Sequence, residues 1–309
     1  MNNQTTPFMP ALLVLFCCSQ ACSTPTTDES DSDTGTPEQP VLYVVSMMHA
    51  EDAINFMDLE VAFNTMAGPL QELDALFSEH GAKTDFGPDW TFILGVQAWG
   101  PTLLTDHLAA GHGLHTHAHE TSRSIKEVND LLLEVGVSEN RVANGGFKQE
   151  GPDGQNWVGY LAQQTDDSSQ PLFTTAVAYK DADTQLSNGI GICFRPSTSG
   201  DWTVHDPEGP LWYIGSNALQ SVGGGALDFD ALRDWIDDRL ANLDPSKVNT
   251  LYWHDSLHKY GQPAQASERI ERWEQELTEY FDPLVADGKI VWKTFAEMSD
   301  VCQAHEAEF

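Results

Sequence analysis

Apolar and polar residues alternate along this chain with two periods, one typical of strands and one typical of helices. Residues 41–45, Val-Leu-Tyr-Val-Val, form a β-rich apolar run that predicts a buried parallel strand. The apolar residues that follow recur at helical spacing: Leu70, Leu73, Leu76 and Phe77. Pro69 stands where this helix could begin and Gly81 where it would end, so the segment predicts one βα unit.

The same cycle repeats in the middle of the chain. The pattern predicts a strand over residues 90–96, a helix over 101–110 with Gly111 after it, and a short strand over 113–115. A further helical stripe comprises Ile125, Val128, Leu131, Leu132 and Val135.

Toward the C-terminus, helices and strands again alternate. Two helical stripes comprise Leu232, Trp235, Ile236, Leu240 and Leu243, and then Ile270, Trp273, Leu277 and Phe281. Strands are predicted over residues 248–253 and 289–292, and Thr294 with Glu297 forms a capping box for a last helix. Strands that alternate with helices imply a parallel sheet. The length favours a closed or nearly closed barrel, so we expect a deformed (β/α) barrel.

One long stretch, residues 145–225, departs from this pattern. It is rich in Gly, Asp, Ser and Pro and has only short apolar runs. We expect long loops there, which either shape a substrate cleft or form a surface excursion.

The N-terminal end reads as an export signal. Residues 7–18 are almost wholly apolar, too short to span a bilayer but of the length of a secretory h-region. Ser19-Gln20-Ala21-Cys22 follows and resembles the lipobox of bacterial lipoproteins, in which the cysteine is acylated. Residues 1–22 are therefore interpreted as a signal peptide, with Cys22 as the lipid anchor. A plain cleaved signal and an uncleaved anchor remain alternatives.

Residues 23–40 separate this signal from the folded part. They are rich in Ser, Thr, Pro and acidic residues, so they cannot offset the entropy of ordering and are predicted to be a disordered tether. Residues 41–309 suffice for one barrel domain.

Five cysteines bear on the redox compartment. Three lie in the export segment, which leaves Cys193 and Cys302 in the folded part. An exported pair suggests a disulfide, while two buried thiols are the alternative.

The charge excludes one class of partner. A formal net charge of −32 disfavours nucleic acid and fits a neutral glycan, among many other partners.

The strongest chemical signal is the histidine-rich tract from Gly111 to Glu120. His115 and His119 stand four residues apart, so they could share one face of a helical turn and bind a divalent ion such as zinc. A histidine-rich surface tract is the alternative. The tract follows a predicted strand, and Glu51-Asp52 follows the first one. In (β/α) barrels the catalytic residues lie at the C-terminal ends of the strands.

These residues resemble a known family. His115-Thr-x-x-His119 matches the His-(Ser/Thr)-x-x-His segment of NodB-type polysaccharide deacetylases, carbohydrate esterase family 4, which also carry an acid pair after the first strand. The resemblance implies that Asp52, His115 and His119 hold a divalent metal, with zinc expected, and that Glu51 is the base. His117 is expected to point elsewhere.

The first motif departs from the family's usual Asp-Asp pair. Either acid of Glu51-Asp52 could take either role, and His49 could replace one of them. A purely structural role as helix caps is also open.

Two further motifs resemble the family. The strand end at His254 matches the position of a general acid, with His258 as a weaker rival. The family also carries an arginine in its third motif. Order along the chain favours Arg141 for this position, whereas the sequence Phe194-Arg195-Pro196 favours Arg195. Arg141 is preferred, and surface salt bridges are the alternative for both.

The resemblance implies a metal-dependent hydrolase that removes acetyl groups, with N-acetyl expected, from a polysaccharide or peptidoglycan-like glycan. The expected location is the periplasmic or outer face of a bacterial membrane, touched only through the lipid anchor. The alternative function is a catalytically impaired carbohydrate-binding lipoprotein with the same fold. A third is a metallohydrolase that acts on another ester or amide.

Overall fold

The computed structural model describes residues 40–50, 58–118, 123–138, 140–145, 157–177, 193–198, 202, 204–215 and 227–306. The chain from Gln39 to Phe309 forms one compact unit. The predicted signal peptide, Cys22 and all but the last residue of the tether lie outside the described residues. Within the described ranges, no helix has both the length and the apolar character needed to cross a membrane.

The strands are short and nearly all parallel. They are β1 (Leu42–Ala50), β2 (Thr84–Pro88), β3 (Gly113–Leu114), β4 (Thr116–Ala118), β5 (Val142–Gly145), β6 (Thr175–Val177), β7 (Cys193–Phe194), β8 (Trp212–Ile214), β9 (Asn249–Ser256) and β10 (Ile290–Trp292). Among the described ladders, only β7 with β8 is antiparallel. The parallel sheet expected from the alternation of strands and helices is therefore confirmed.

Two sheets meet at one residue. In the first sheet, β9 pairs with one edge of β1. β10 and β2 share the other edge, and β3 pairs with β2. The second sheet has the order β4-β5-β6-β8-β7. β3 and β4 are separated only by His115, whose backbone N–H donates to the carbonyl of Phe86 at 3.0 Å. The chain thus passes from one sheet into the other at His115.

Helices connect the strands. They are α1 (Glu60–Glu79), α2 (Trp90–Trp99), α3 (Leu103–Ala109), α4 (Ile125–Glu134), α5 (Trp157–Ala162), α6 (Phe229–Ala241), α7 (Pro263–Glu276), α8 (Asp282–Ala286) and α9 (Phe295–Glu306). A 3₁₀ turn (Leu257–Tyr260) follows β9, and a π-helical turn (Leu277–Phe281) joins α7 to α8. The capping box predicted at Thr294 and Glu297 is present, because each backbone N–H donates to the other's side chain.

Two local predictions are wrong, and one strand was missed. Residues 90–96 form part of helix α2 rather than a strand, because the Asp89 carboxylate accepts the N–H of Phe92 and caps the helix. Helix α1 begins at Glu60 and continues through Pro69, since its buried face already includes Phe63 and Met66. Strand β2 was not predicted, because Thr-Asp-Phe-Gly-Pro has the composition of a turn.

The stretch predicted as long loops contains regular elements as well. Its described parts include α5, β6, β7 and β8, which complete the second sheet. Short apolar runs are enough here because these strands have only two or three residues and are almost wholly buried.

The predicted disulfide is present. Cys193 in β7 is bonded to Cys302 in α9, and their Cα atoms lie 6.1 Å apart. This distance is within the range that a disulfide needs. The bond ties the last helix to the edge strand of the second sheet.

Candidate metal centre

Four histidine side chains meet at the carboxyl end of the strands. His49 is near the end of β1, His115 is at the junction of the sheets, His117 is in β4 and His254 is in β9. The ring centroid of His49 lies 3.9 Å from that of His117, 4.5 Å from that of His254 and 5.0 Å from that of His115. His49 is therefore the centre of the group.

Three of these rings can offer nitrogen ligands to one ion. One ring nitrogen from each of His49, His115 and His117 lies within 4.8 Å of the other two, and all three residues are buried. The Nε2 atoms of His49 and His115 are 2.9 Å apart. Two nitrogens that bind one zinc ion at tetrahedral angles are about 3.3 Å apart, so a small rotation of either ring suffices. The donor set therefore fits a divalent metal.

The orientation of His115 is fixed by a carboxylate. Nδ1 of His115 lies 2.7 Å from Oδ1 of Asp85, and both side chains are buried. Because a carboxylate only accepts, Nδ1 of His115 carries the hydrogen. In the neutral ring, Nε2 then presents its lone pair to the cluster, and His49 supplies the hydrogen in their contact. That hydrogen must leave before both nitrogens can bind one ion.

Two glycines make room for this arrangement. A Cβ atom on Gly87 would lie 2.2 Å from Nε2 of His115 and 2.8 Å from Cδ2 of His49. A Cβ atom on Gly113 would lie 2.2 Å from Oδ2 of Asp85. The two imidazoles and the carboxylate thus occupy space that any larger residue at these positions would fill.

A second polar cluster lies behind β3. His107 contacts Oδ2 of Asp74 through Nδ1 at 2.9 Å and the carbonyl of Gly113 through Nε2 at 2.8 Å. His112 accepts the N–H of Thr84 through Nδ1. Burial lowers the pKa of His112 below its ordinary value, with Asp74 opposing this effect. His112 is therefore held as a neutral ring that supports β3.

The prediction that His117 points elsewhere is wrong. It rested on a helical turn at residues 115–119, whereas residues 116–118 form strand β4. Side chains two residues apart share one face of an extended chain, so His115 and His117 both turn toward His49. His119, Glu51 and Asp52 lie outside the described residues, and their proposed roles stay predictions.

His254 lies beside the cluster, as its place at the end of β9 suggested. It is half-buried and pairs in register with Met47 of β1. The next residue, Asp255, points to the other side of the sheet, where it accepts from Tyr260 and Arg269 at 2.7 Å each. This buried network holds the end of β9 against α7, and the sequence reading did not identify it.

No contact described for Arg141 or Arg195 reaches the four clustered histidines. Arg141 is exposed and precedes β5 at its amino end, while Asn144 of the same strand pairs with His117. Three residues of strand correspond to about 10 Å, which separates Arg141 from the level of His117. Arg195 pairs with Glu306 at 2.9 Å and lies over the Trp212 ring at the start of β8. The structure therefore does not bring Arg141 to the cluster, because it enters its strand from the opposite end.

Sequence reasoning missed several residues of the site. Asp85 and Gly87 lie in the strand that was not predicted, and His117 was assigned to the wrong face. His49 was considered only as a substitute for an acid. The available signal was the spacing of Gly113, His115 and His117 at every second position, which is the period of a strand.

Proteins similar to this chain are found among solved structures. No protein-family model matches the chain, and no curated protein matches it either. A 4-α-glucanotransferase from Thermococcus litoralis superposes with a TM-score of 0.53 at 14% identity, covering 84% of this chain and 40% of that chain. This chain thus spans less than half of the glucanotransferase.

Two further solved structures match over most of both chains. A protein assigned as a polysaccharide deacetylase from Mycobacterium smegmatis has a TM-score of 0.51 at 12% identity, covering 92% of this chain and 96% of that chain. Another so assigned, from Pseudomonas aeruginosa PAO1, has a TM-score of 0.50 at 13% identity, covering 84% of this chain and 90% of that chain. The predicted fold, a deformed (β/α) barrel of the NodB type, is confirmed.

Proposed function

We propose that this protein is a metal-dependent hydrolase that removes acetyl groups from a glycan. The observation that carries the proposal is the convergence of His49, His115 and His117 in a buried cluster at the carboxyl end of parallel strands. Strand ends of this kind hold the reactive groups in (β/α) barrels. The fold shared with two proteins assigned as polysaccharide deacetylases supports the choice of substrate class.

The proposed metal ligands are the three clustered histidines. Imidazole suits zinc, and three histidines with an open fourth position form a familiar catalytic zinc set. The set taken from the family resemblance, Asp52, His115 and His119, shares only His115 with it. A site of three neutral ligands leaves the ion's charge uncompensated, which favours activation of water more than a site that contains a carboxylate. When bound, the metal would acidify a water molecule and polarise the acyl oxygen.

The chain's own residues would move the protons. Glu51, as predicted from the sequence, takes a proton from the attacking water. His254 returns a proton to the departing amine or alcohol, which its half-buried position beside His49 allows. Arg141 has no part in this proposal, because it lies at the other end of its strand.

A location outside the cytoplasm fits a cell-wall or polysaccharide substrate. The bond between Cys193 and Cys302 supports this, since disulfides persist in oxidising compartments. We propose that Cys22 is acylated and tethers the domain to a membrane. Labelling with a palmitate analogue tests this: the wild type should be labelled and a Cys22→Ala variant should not. A variant that is still labelled would contradict it.

A second function has one observation in its favour. The Nε2 atoms of His49 and His115 lie 2.9 Å apart, within hydrogen-bond distance of each other. A carbohydrate-binding lipoprotein that has lost catalysis would keep such a closed cluster. It would bind glycans but release no acetate.

The test joins metal analysis to an acetate-release screen. The purified full-length protein should contain about one divalent metal ion per chain, held by the three histidines. It should also release acetate from chitooligosaccharides, peptidoglycan or acetylated xylan. Glycan binding without metal or acetate would support the lipoprotein alternative and contradict the hydrolase.

Single variants separate the two ligand sets. His49→Ala and His117→Ala should lose metal, whereas Asp52→Ala and His119→Ala should keep it. His205→Ala is the control, because this histidine is an exposed residue paired with Glu306 and should leave metal content unchanged. The reverse pattern would assign the site to the set implied by the family resemblance.

A further inference from the structure

We propose that Asp85 is a positioning residue that sets the tautomer of His115 and aims Nε2 of that ring into the metal centre. This inference rests on the proposed function for its metal, but the tautomer itself is a property of the metal-free protein. Asp85 lies in β2, which pairs with β1 along one edge and with β3 along the other. In the contacts of the described residues, Asp85 touches neither His49 nor His117.

Both carboxylate oxygens of Asp85 accept from a fixed donor. Oδ1 accepts from Nδ1 of His115 at 2.7 Å, and Oδ2 accepts from the backbone N–H of Phe295 at 2.8 Å. Phe295 is the first residue of α9, whose N-terminal end carries a partial positive charge. The carboxylate is buried to 1% exposure, so its charge is offset by these two donors rather than by water.

The surroundings leave the pair no other arrangement. A side chain at Gly113 would collide with Oδ2 of Asp85, so the glycine admits the carboxylate at this position. The His115 ring packs edge-on against Phe295, with centroids 5.7 Å apart. Its backbone N–H is bound to the carbonyl of Phe86. Ring, carboxylate and helix end therefore form one rigid unit.

An asparagine at position 85 would have the same shape as the aspartate but could not accept from both of its partners. It has one acceptor and one donor, whereas both partners of Asp85 are donors. If the amide oxygen faces Phe295, the amide N–H₂ faces Nδ1 of His115 and moves the ring hydrogen to Nε2. If the amide oxygen faces His115, two N–H groups meet at Phe295. Either arrangement weakens presentation of the Nε2 lone pair to a metal.

The matched control is a second buried aspartate that also binds Nδ1 of a histidine. Asp74 accepts from His107 at 2.9 Å outside the metal centre. Asp74→Asn should therefore cost stability in the same way as Asp85→Asn, without changing the metal centre. A comparison of the two variants separates positioning from general destabilisation.

The metal readout is titration of the full-length protein with Co²⁺, followed by its visible absorption. Asp85→Asn should lower the Co²⁺ affinity by about 10–100-fold and alter the band positions. Asp74→Asn should reproduce the wild-type affinity and spectrum. Equal affinity in Asp85→Asn and wild type, or an equal loss in both variants, would overturn the proposal.

The second readout needs no metal. The ¹⁵N resonances of the histidine rings, with His115 assigned from a His115→Gln variant, report which nitrogen carries the hydrogen. The metal-free wild type should show it on Nδ1, and Asp85→Asn should show it wholly or partly on Nε2. A wild-type His115 ring with its hydrogen on Nε2 would refute the role of Asp85. If the wild type binds no Co²⁺, the proposed function fails, and the tautomer still decides the role of Asp85.

Discussion

His49 and His115 meet over a glycine, with their Nε2 atoms 2.9 Å apart. His49 of β1 pairs in register with Gly87 of β2, and His115 follows the pair of Phe86 and Leu114 on the far side of β2. His49 in β1 therefore lies on one side of β2, and His115, directly after β3, lies on the other. They reach each other because the residue between them has no side chain.

Replacement of Gly87 by alanine should destroy the metal centre while leaving the fold. The new methyl group would lie 2.2 Å from Nε2 of His115, so the rings must move apart. We expect loss of Co²⁺ binding and a cost of about 1–3 kcal/mol in the free energy of unfolding. Circular dichroism and Co²⁺ titration measure both effects.

The control for this variant is Gly68→Ala in helix α1. Apart from its two chain neighbours, a Cβ atom there has nothing within 4 Å, so the change should keep metal affinity. Because Pro69 follows directly, no gain in helix stability is expected. Retention of wild-type metal affinity by Gly87→Ala would show that the ion does not bind between His49 and His115.

His254→Gln should remove activity but not metal. A general acid contributes about 10²–10⁴-fold to rate, so kcat on the best substrate should fall by that factor. His258→Gln, in the turn after β9, is the control and should retain activity. Loss of metal in His254→Gln would instead place His254 among the ligands.

His112 should make the fold sensitive to acid. Burial lowers its pKa below the ordinary value of 6.5, and nearby His107 and Lys83 also lower it, while Asp74 raises it. The unfolded chain therefore binds this proton more tightly than the folded protein. The stabilising contribution is complete above pH 6.5 and is lost as the pH falls through the lowered pKa.

Urea denaturation at about pH 7.5 and about pH 5 measures this effect. The wild type should lose more stability between the two than His112→Gln, whose side chain stays neutral. Equal losses in the two proteins would contradict a buried neutral His112.

Removal of the disulfide should weaken the fold. A Cys193→Ser/Cys302→Ser variant should lose about 2–5 kcal/mol in the free energy of unfolding, because the bond closes a long loop between β7 and α9. The urea midpoint with and without reductant is the measurement. Reductant should shift the wild-type midpoint and leave that of the variant unchanged, and a wild type that does not respond would contradict a stabilising bond.

The sequence alone determined the alternation of strands and helices and several helix ends. Gly81 and Gly111 adopt positive φ after their helices, and Thr294 with Glu297 caps the last one. These signals are local, because a cap or a left-handed turn depends on a few neighbouring residues. The disulfide was also predictable, since Cys193 and Cys302 were the two cysteines left once the predicted export signal was set aside.

Only the tertiary structure decided which side chains form the site. Asp85 lies in a strand whose composition is that of a turn, and it extends only because β1 and β3 pair with it on either side. Likewise, the tract around His115 has histidines that fit a helical turn or a strand equally well. Pairing with β5 extends it, so that His115 and His117 share one face. Local sequence gives the candidate ligands, but the partner strands set the backbone period, and that period selects which of them converge.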